Sequence, residues 1–92
     1  PQDDKTAVKW YTLAAEQGIA NAQFALGRMY HEGQGVIRDY VIAHMWYLIA
    51  ASQGSKDAKR ELVRVETKMS SIQMNGAQKL ARECNSKNYK NC

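Results

Sequence analysis

The stretch Ala7-Val8-Lys9-Trp10-Tyr11-Thr12-Leu13-Ala14-Ala15-Glu16-Gln17-Gly18 returns 36 residues further on as Ala43-His44-Met45-Trp46-Tyr47-Leu48-Ile49-Ala50-Ala51-Ser52-Gln53-Gly54. At that one offset Asp3 meets Asp39, Ala7 meets Ala43, Trp10 meets Trp46 and Tyr11 meets Tyr47. Ala14-Ala15 meet Ala50-Ala51, Gln17-Gly18 meet Gln53-Gly54, Ala22 meets Ala58 and Leu26 meets Leu62. Both tryptophans of the chain take part. A period in the mid-thirties is that of a helical solenoid, in which each unit buries its apolar face on its neighbours. The expected fold is therefore all-α: an α/α superhelix of two helix-pair repeats plus a C-terminal capping helix.

Working outward from the repeated phrase, the first helix is predicted from about Asp4 to Gln17. Asp3 can accept the free amides of the first turn, and Gly18 can take the left-handed conformation that ends a helix. At 100° per residue Ala7, Tyr11 and Ala14 centre one face, with Trp10 and Ala15 flanking it, while Lys9, Thr12 and Glu16 point away. The second helix is predicted from about Asn21 to Glu32, with Ala22, Ala25, Leu26 and Met29 on one stripe. Gly27 inside it costs about 1 kcal/mol against alanine, which predicts a close backbone approach. Gly33 and Gly35 then turn the chain. The third helix, Tyr40 to Gln53, repeats the first with Asp39 as cap and Gly54 as stop. The fourth follows Ser55, with Ala58, Leu62, Val65 and Met69 inward. Ser70-Ser71-Ile72-Gln73 forms a capping box that opens a fifth helix from Ser71 to about Cys84, expected to turn Ile72, Ala77, Leu80 and Ala81 inward.

These elements make one domain: repeat 1 over about 3–38, repeat 2 over about 39–69, and a C-terminal cap helix and tail over 70–92. Pro1-Gln2-Asp3 aligns with Ile37-Arg38-Asp39, so the chain is expected to be a fragment of a longer array.

Ninety-two residues suffice for one small domain, and an ordinary share of apolar and charged residues argues against disorder. No run of about 18 apolar residues exists, so no membrane-spanning helix is expected. The net charge of +4 is uneven. From Ser55 onward Lys56, Lys59, Arg60, Arg64, Lys68, Lys79, Arg82, Lys87 and Lys90 outnumber Asp57, Glu61, Glu66 and Glu83. Such a half can attract nucleic acid or an acidic partner. No run of stacking aromatics is interleaved with these charges, Tyr89 being the single aromatic among them, so they read as a solvated helix face, and no nucleic-acid partner is expected. The two cysteines, Cys84 and Cys92, close a short C-terminal loop, which reads as a disulfide in an oxidising compartment, periplasmic or secreted.

The run Ala-x-x-Trp-Tyr-x-x-Ala-Ala-Glu-Gln-Gly-x-Ala-x-Ala-Gln-x-x-Leu-Gly-x-Met-Tyr-x-x-Gly-x-Gly-Val, from Ala7 to Val36, resembles the Sel-1-like repeat, a relative of the tetratricopeptide repeat. The resemblance covers one whole repeat, most of a second up to Leu62, and loosely the last helix. It implies antiparallel helix pairs stacked into a right-handed superhelix, with the first helix of each pair lining the concave side. It also implies an adaptor or scaffold that binds other proteins, exported in many bacterial members. The eight-residue spacing of Cys84 and Cys92 is similar to that of the family's cysteine-rich secreted branch, for which the alternative function would be cell-wall or β-lactam-related hydrolysis. The two clear repeats carry Ala15/Gln23 and Ala51/Lys59 at those places instead.

No catalytic constellation emerges. His31 and His44 occupy different repeat positions without further ligands at zinc spacing, and read as solvated or second-layer residues. Ser55 and Ser70 are explained as caps, and no strand precedes a glycine-rich loop. The expected protein is a monomer without enzyme activity, cofactor or metal, and it binds a protein or peptide. The candidate contacts lie along the concave face: Lys9, Thr12 and Glu16 on the first helix, and on the third Met45 and Leu48, at the places of Lys9 and Thr12, with Ile49 at the place of Leu13. Three large apolar residues on a second face must be covered. The final helix, with Ile72, Ala77 and Leu80, is the expected cover, and a partner chain is the alternative.

Overall fold

The computed structural model describes residues 3–92 and is built of five α-helices, with no strand among the described residues. They are α1 (Asp4–Glu16), α2 (Ala20–Glu32), α3 (Tyr40–Ser52), α4 (Lys56–Glu66) and α5 (Ser71–Ser86). The inter-repeat connection expected at Pro1-Gln2 lies outside the described residues.

Four of the five starts are fixed by side chains that satisfy first-turn amides. Asp3 accepts from the Lys5 amide and Asp39 from that of Ile42, each at 3.0 Å, and the Ser55 hydroxyl accepts from Ala58 at 3.1 Å. At α5 the capping box is reciprocal: Ser70 Oγ accepts from the Gln73 amide at 3.1 Å, and Gln73 Oε1 accepts from the Ser70 amide at 2.9 Å. Gly33 stops α2 in the left-handed region at φ 71°.

The helices stack as antiparallel pairs. α2 packs between α1 and α3, its larger contact being with α3. Gly27 is the reason these two helices approach so closely: a Cβ at that position would lie 2.7 Å from Cδ1 of Tyr47. One core cluster joins Ala15, Ala22, Leu26, Met45, Trp46 and Ile49 with Ala81 and Cys84 of α5. A second joins Ala43, Tyr47 and Ala50 with Ala58 and Val65 of α4.

Two buried polar side chains are each given partners. Gln23 Nε2 donates to the Ala15 carbonyl at 3.1 Å, satisfying an acceptor at the end of α1, and its Oε1 accepts from Gln53 Nε2 at 2.6 Å. His44 is fully buried rather than solvated, and its Nε2–H donates to Glu66 Oε2 of α4 at 2.9 Å. Of the two readings expected for the histidines, the solvated one fails at His44, where a carboxylate from the next helix supplies the partner that water would.

Two apolar expectations also change. Tyr11, expected at the centre of the core stripe, and Trp10, expected on its flank, are exposed, whereas Trp46 and Tyr47 are buried. On α5 the buried face is Ala77, Ala81 and Cys84, while Ile72 and Leu80 remain exposed. Ile72 stands five residues before Ala77, about 140° around the helix at 100° per residue.

The placement of α5 departs from repeat order. α3, the first helix of its pair, rests mainly on the preceding α2, so a third pair would begin with a helix resting on α4. Instead α5 packs along α3, and α4 is not among its main partners.

Candidate functional site

The face expected to bind a partner is built by the first helices of the two repeats. Its α3 half is closed. Met45 and Ile49 retain only 2% and 1% exposure, and they share a core cluster with Ala81 and Cys84 of α5. Leu48 is partly buried against the same cluster. Met45 and Ile49 are therefore corrected from partner contacts to core, and Leu48 is partly withdrawn beside them. The covering helix is the expected one, but it covers them with a flat face of small residues in place of Ile72 and Leu80. Small side chains let two helices approach closely, so Met45 and Ile49 are buried without large facing residues.

The C-terminal tail extends this cover to α1. Cys84 and Cys92 form a disulfide, which returns the chain after α5 upon itself. Asn88, Tyr89 and Asn91 take positive φ values of 54°, 67° and 56°, the tight winding that such a short closed loop requires. The loop places the Tyr89 ring against Gly18, where an added Cβ would lie 3.3 Å from Cε2, and Tyr89 packs on the same core as Met45. Beside it Lys90 Nζ donates to the Glu16 carbonyl at 2.6 Å, and the Asn91 amide donates to Glu16 Oε2 at 3.3 Å. Lys90 thus places a cation at the carbonyl end of α1, where the helix dipole favours it.

What remains open on this face belongs to α1. Lys9 is exposed, and Leu13, in the position corresponding to buried Ile49, is 48% exposed. Thr12 is half-buried and its hydroxyl donates to the Val8 carbonyl at 2.7 Å; Glu16 is half-buried and held by the tail. Lys9 and Leu13 therefore form the accessible part, with Thr12 and Glu16 along its edge.

The rest of the surface offers little chemistry. Among the described residues no three His, Cys, Asp or Glu side chains converge as metal ligands would. No described helix is long and apolar enough to cross a membrane. On α4 the basic residues are partly answered within the helix, Arg60 by Asp57 at 2.7 Å and Arg64 by Glu61 at 3.7 Å. Burial pushes the Tyr47 phenol up, with Glu61 adding to the effect, and its hydroxyl is hydrogen-bonded to His31 Nδ1 at 3.0 Å. That pair joins α3 to α2.

Sequence reasoning missed the roles of Gln23, His44 and Tyr89. Gln23 could be singled out as a polar residue beside the apolar stripe of α2. Nothing local marks Tyr89, whose partner Gly18 is distant in sequence.

Comparison with known proteins gives a consistent picture. A family model described as the Sel1 repeat matches residues 1–19 and 20–55, dividing the chain between α1 and α2. No curated protein matches the chain. Among solved structures it is similar to a protective antigen present in uropathogenic Escherichia coli strains and displaying an SLR fold. The identity is 30%, the TM-score is 0.86, and the match covers 95% of this chain. It covers 20% of that protein, so the chain spans about a fifth of the relative's length.

Proposed function

Because the chain belongs to the Sel1 repeat family, we propose that it is a non-enzymatic protein-interaction module that binds a protein or peptide partner on the α1 part of its first-helix face. The observation that carries this reading is the asymmetry of that face. α5 and the disulfide-closed tail fill it over α3, while Lys9 and Leu13 stay open on α1. A cation beside an exposed leucine suits an amphipathic segment that offers a carboxylate next to an apolar anchor, laid along the helix. Thr12 and Glu16 border the contact. The module works as a monomeric domain, with repeats over about 3–38 and 39–69 and the cap over 70–92. The disulfide suits an oxidising compartment, periplasmic or secreted.

The test is capture of host proteins on the immobilised chain, identified by mass spectrometry and followed by affinity measurement. Lys9→Glu combined with Leu13→Asp should abolish binding, and Lys59→Glu combined with Arg60→Glu should leave it intact. The reverse pattern moves the site to α4, and survival of binding in both variants removes the α1 face as the site. Binding that weakens steeply between two salt concentrations and is lost on nuclease treatment would indicate nucleic acid instead.

A further inference from the structure

The row of residues by which α2 receives α3 has changed its chemistry in α4. On α2 that row is Phe24, Gly27 and His31. Phe24 lies 5.9 Å from Tyr47 between ring centroids, Gly27 leaves room for the same ring, and His31 is hydrogen-bonded to its hydroxyl at 3.0 Å. At the 36-residue offset the row reads Arg60, Val63 and Thr67. All three are exposed, Val63 by 67%, because α4 packs on α3 through its opposite side, Ala58 and Val65. Lys56 continues the row toward the start of the helix, and Lys59 and Arg64 flank it on either side, all exposed. Few of these charges are answered within the molecule. Arg60 meets Asp57 at 2.7 Å, but Arg64 comes only within 3.7 Å of Glu61, whose side chain is 14% exposed. Glu66 is engaged by the buried imidazole of His44 at 2.9 Å. Lys56 and Lys59 have no ion-pair partner among the described residues. A surface that serves solubility mixes charges of both signs. Here the carboxylates are withdrawn and the cations stand around an exposed aliphatic side chain.

We propose that this face of α4 docks an acidic amphipathic helix of a partner protein, with an aliphatic residue against Val63 and carboxylates toward Lys56, Lys59 and Arg64. Residues spaced as Arg60, Val63 and Thr67 form a ridge of the kind that a crossing helix packs against, and the same row on α2 holds one. Charge complementarity sets the sign of the occupant. A helix of the α3 kind does not fit. Where even a Cβ at Gly27 would lie 2.7 Å from the Tyr47 ring, Val63 leaves no place for such a tyrosine. An anionic lipid surface is a poorer match, since one valine between cations lacks the broad apolar face with which a helix lies in a membrane interface. Nucleic acid phosphates would engage the cations but give Val63 no apolar contact. The surface is separate from Lys9 and Leu13, and the proposal stands whether or not that surface binds.

The test uses the whole chain and a synthetic helical peptide that carries glutamates on both sides of a leucine stripe. An isomer of the same composition, with the glutamates spread around the helix, is the control. Titrations are followed by calorimetry and by amide shifts in nuclear magnetic resonance. The patterned peptide should shift the amides from Lys56 to Thr67 and bind at least about tenfold more tightly than its isomer. Lys56→Glu with Lys59→Glu should weaken it by about tenfold or more, and so should Val63→Asp, while both variants keep the circular dichroism and melting temperature of the parent. Lys9→Glu with Leu13→Asp should leave it unchanged, so that this surface and the one on α1 fail separately. Equal binding of the two peptides would reduce the face to its net charge and overturn the proposal. Absence of binding, or binding lost only in the α1 variant, would overturn it as well. Tighter binding of phosphatidylglycerol vesicles or of duplex DNA, lost in the same α4 variants, would overturn it in favour of a lipid or a nucleic-acid surface.

Discussion

Gly27 carries no side chain, and that absence sets the distance between α2 and α3. Alanine there would gain about 1 kcal/mol of helix propensity. Its Cβ would sit 2.7 and 2.8 Å from two carbons of the Tyr47 ring and 3.3 Å from the Ala43 carbonyl, and the ring is enclosed on all sides. Overpacking of this kind costs about 1–3 kcal/mol, so the steric effect outweighs the propensity gain. Gly27→Ala should lower the melting temperature followed by circular dichroism. Tyr47 itself supports a prediction about pH. Burial raises its phenol above the ordinary value of 10.0. Below that value both folded and unfolded chains hold the proton and it contributes no pH dependence. Above it the unfolded phenol ionises while the buried one does not, so the unfolded state binds fewer protons and stability falls as pH rises, by up to about 1.4 kcal/mol per pH unit. Urea unfolding of the parent and of Tyr47→Phe between about pH 9 and 11 isolates this contribution from those of the lysines and other tyrosines. The parent should lose stability more steeply with pH than the variant.

Among the elements, α5 owes its place to a stripe of small residues and to the loop that closes behind it. The disulfide spans a separation of eight residues, for which loop-closure entropy allows roughly 2–3 kcal/mol. Cys84→Ser with Cys92→Ser should lower stability by about that much or less, because the tail keeps its Glu16 and Gly18 contacts. The same variant should show faster amide exchange at Tyr89 to Asn91. Ile72 gives the opposite expectation. Its side chain is exposed on the far side of α5, so Ile72→Ala should change unfolding free energy by no more than about 0.5 kcal/mol. A larger loss in urea denaturation would mean that α5 is rotated relative to its described face. Periodicity contained part of this result, since Ala77, Ala81 and Cys84 follow helical spacing. Size misled: Ile72 and Leu80 are the larger hydrophobes, but the angular position of a residue on a helix decides what it touches.

At the scale of the whole molecule, α5 lying along α3 makes a short solenoid compact. The radius of gyration is 11.9 Å, close to the roughly 12 Å of a single compact domain of this length. Removing everything after Ser70 should uncover Met45, Leu48 and Ile49. At about 25 cal/mol per Å² of apolar area exposed, stability should fall by several kcal/mol, and the truncated chain should bind a hydrophobic dye and self-associate in sedimentation. A monomer of unchanged stability would show that α5 contributes little to the core. The sequence by itself determined the helix-pair architecture, the starts of four helices and the pairing of Cys84 with Cys92. Each of these is encoded in local spacing or in the 36-residue repetition, and the Asp3, Asp39, Ser55 and Ser70 caps act within a single turn. Of the candidate site, Lys9 was legible as an outward residue of α1, whereas Met45 and Ile49 at matching places looked like its continuation. Only the tertiary structure decided that they are core and that Trp10 is open while Trp46 is closed. Burial belongs to a residue together with its neighbour: α2 and α5 both cover the phrase on α3, while the Trp10 and Tyr11 side of the same phrase on α1 has no helix over it.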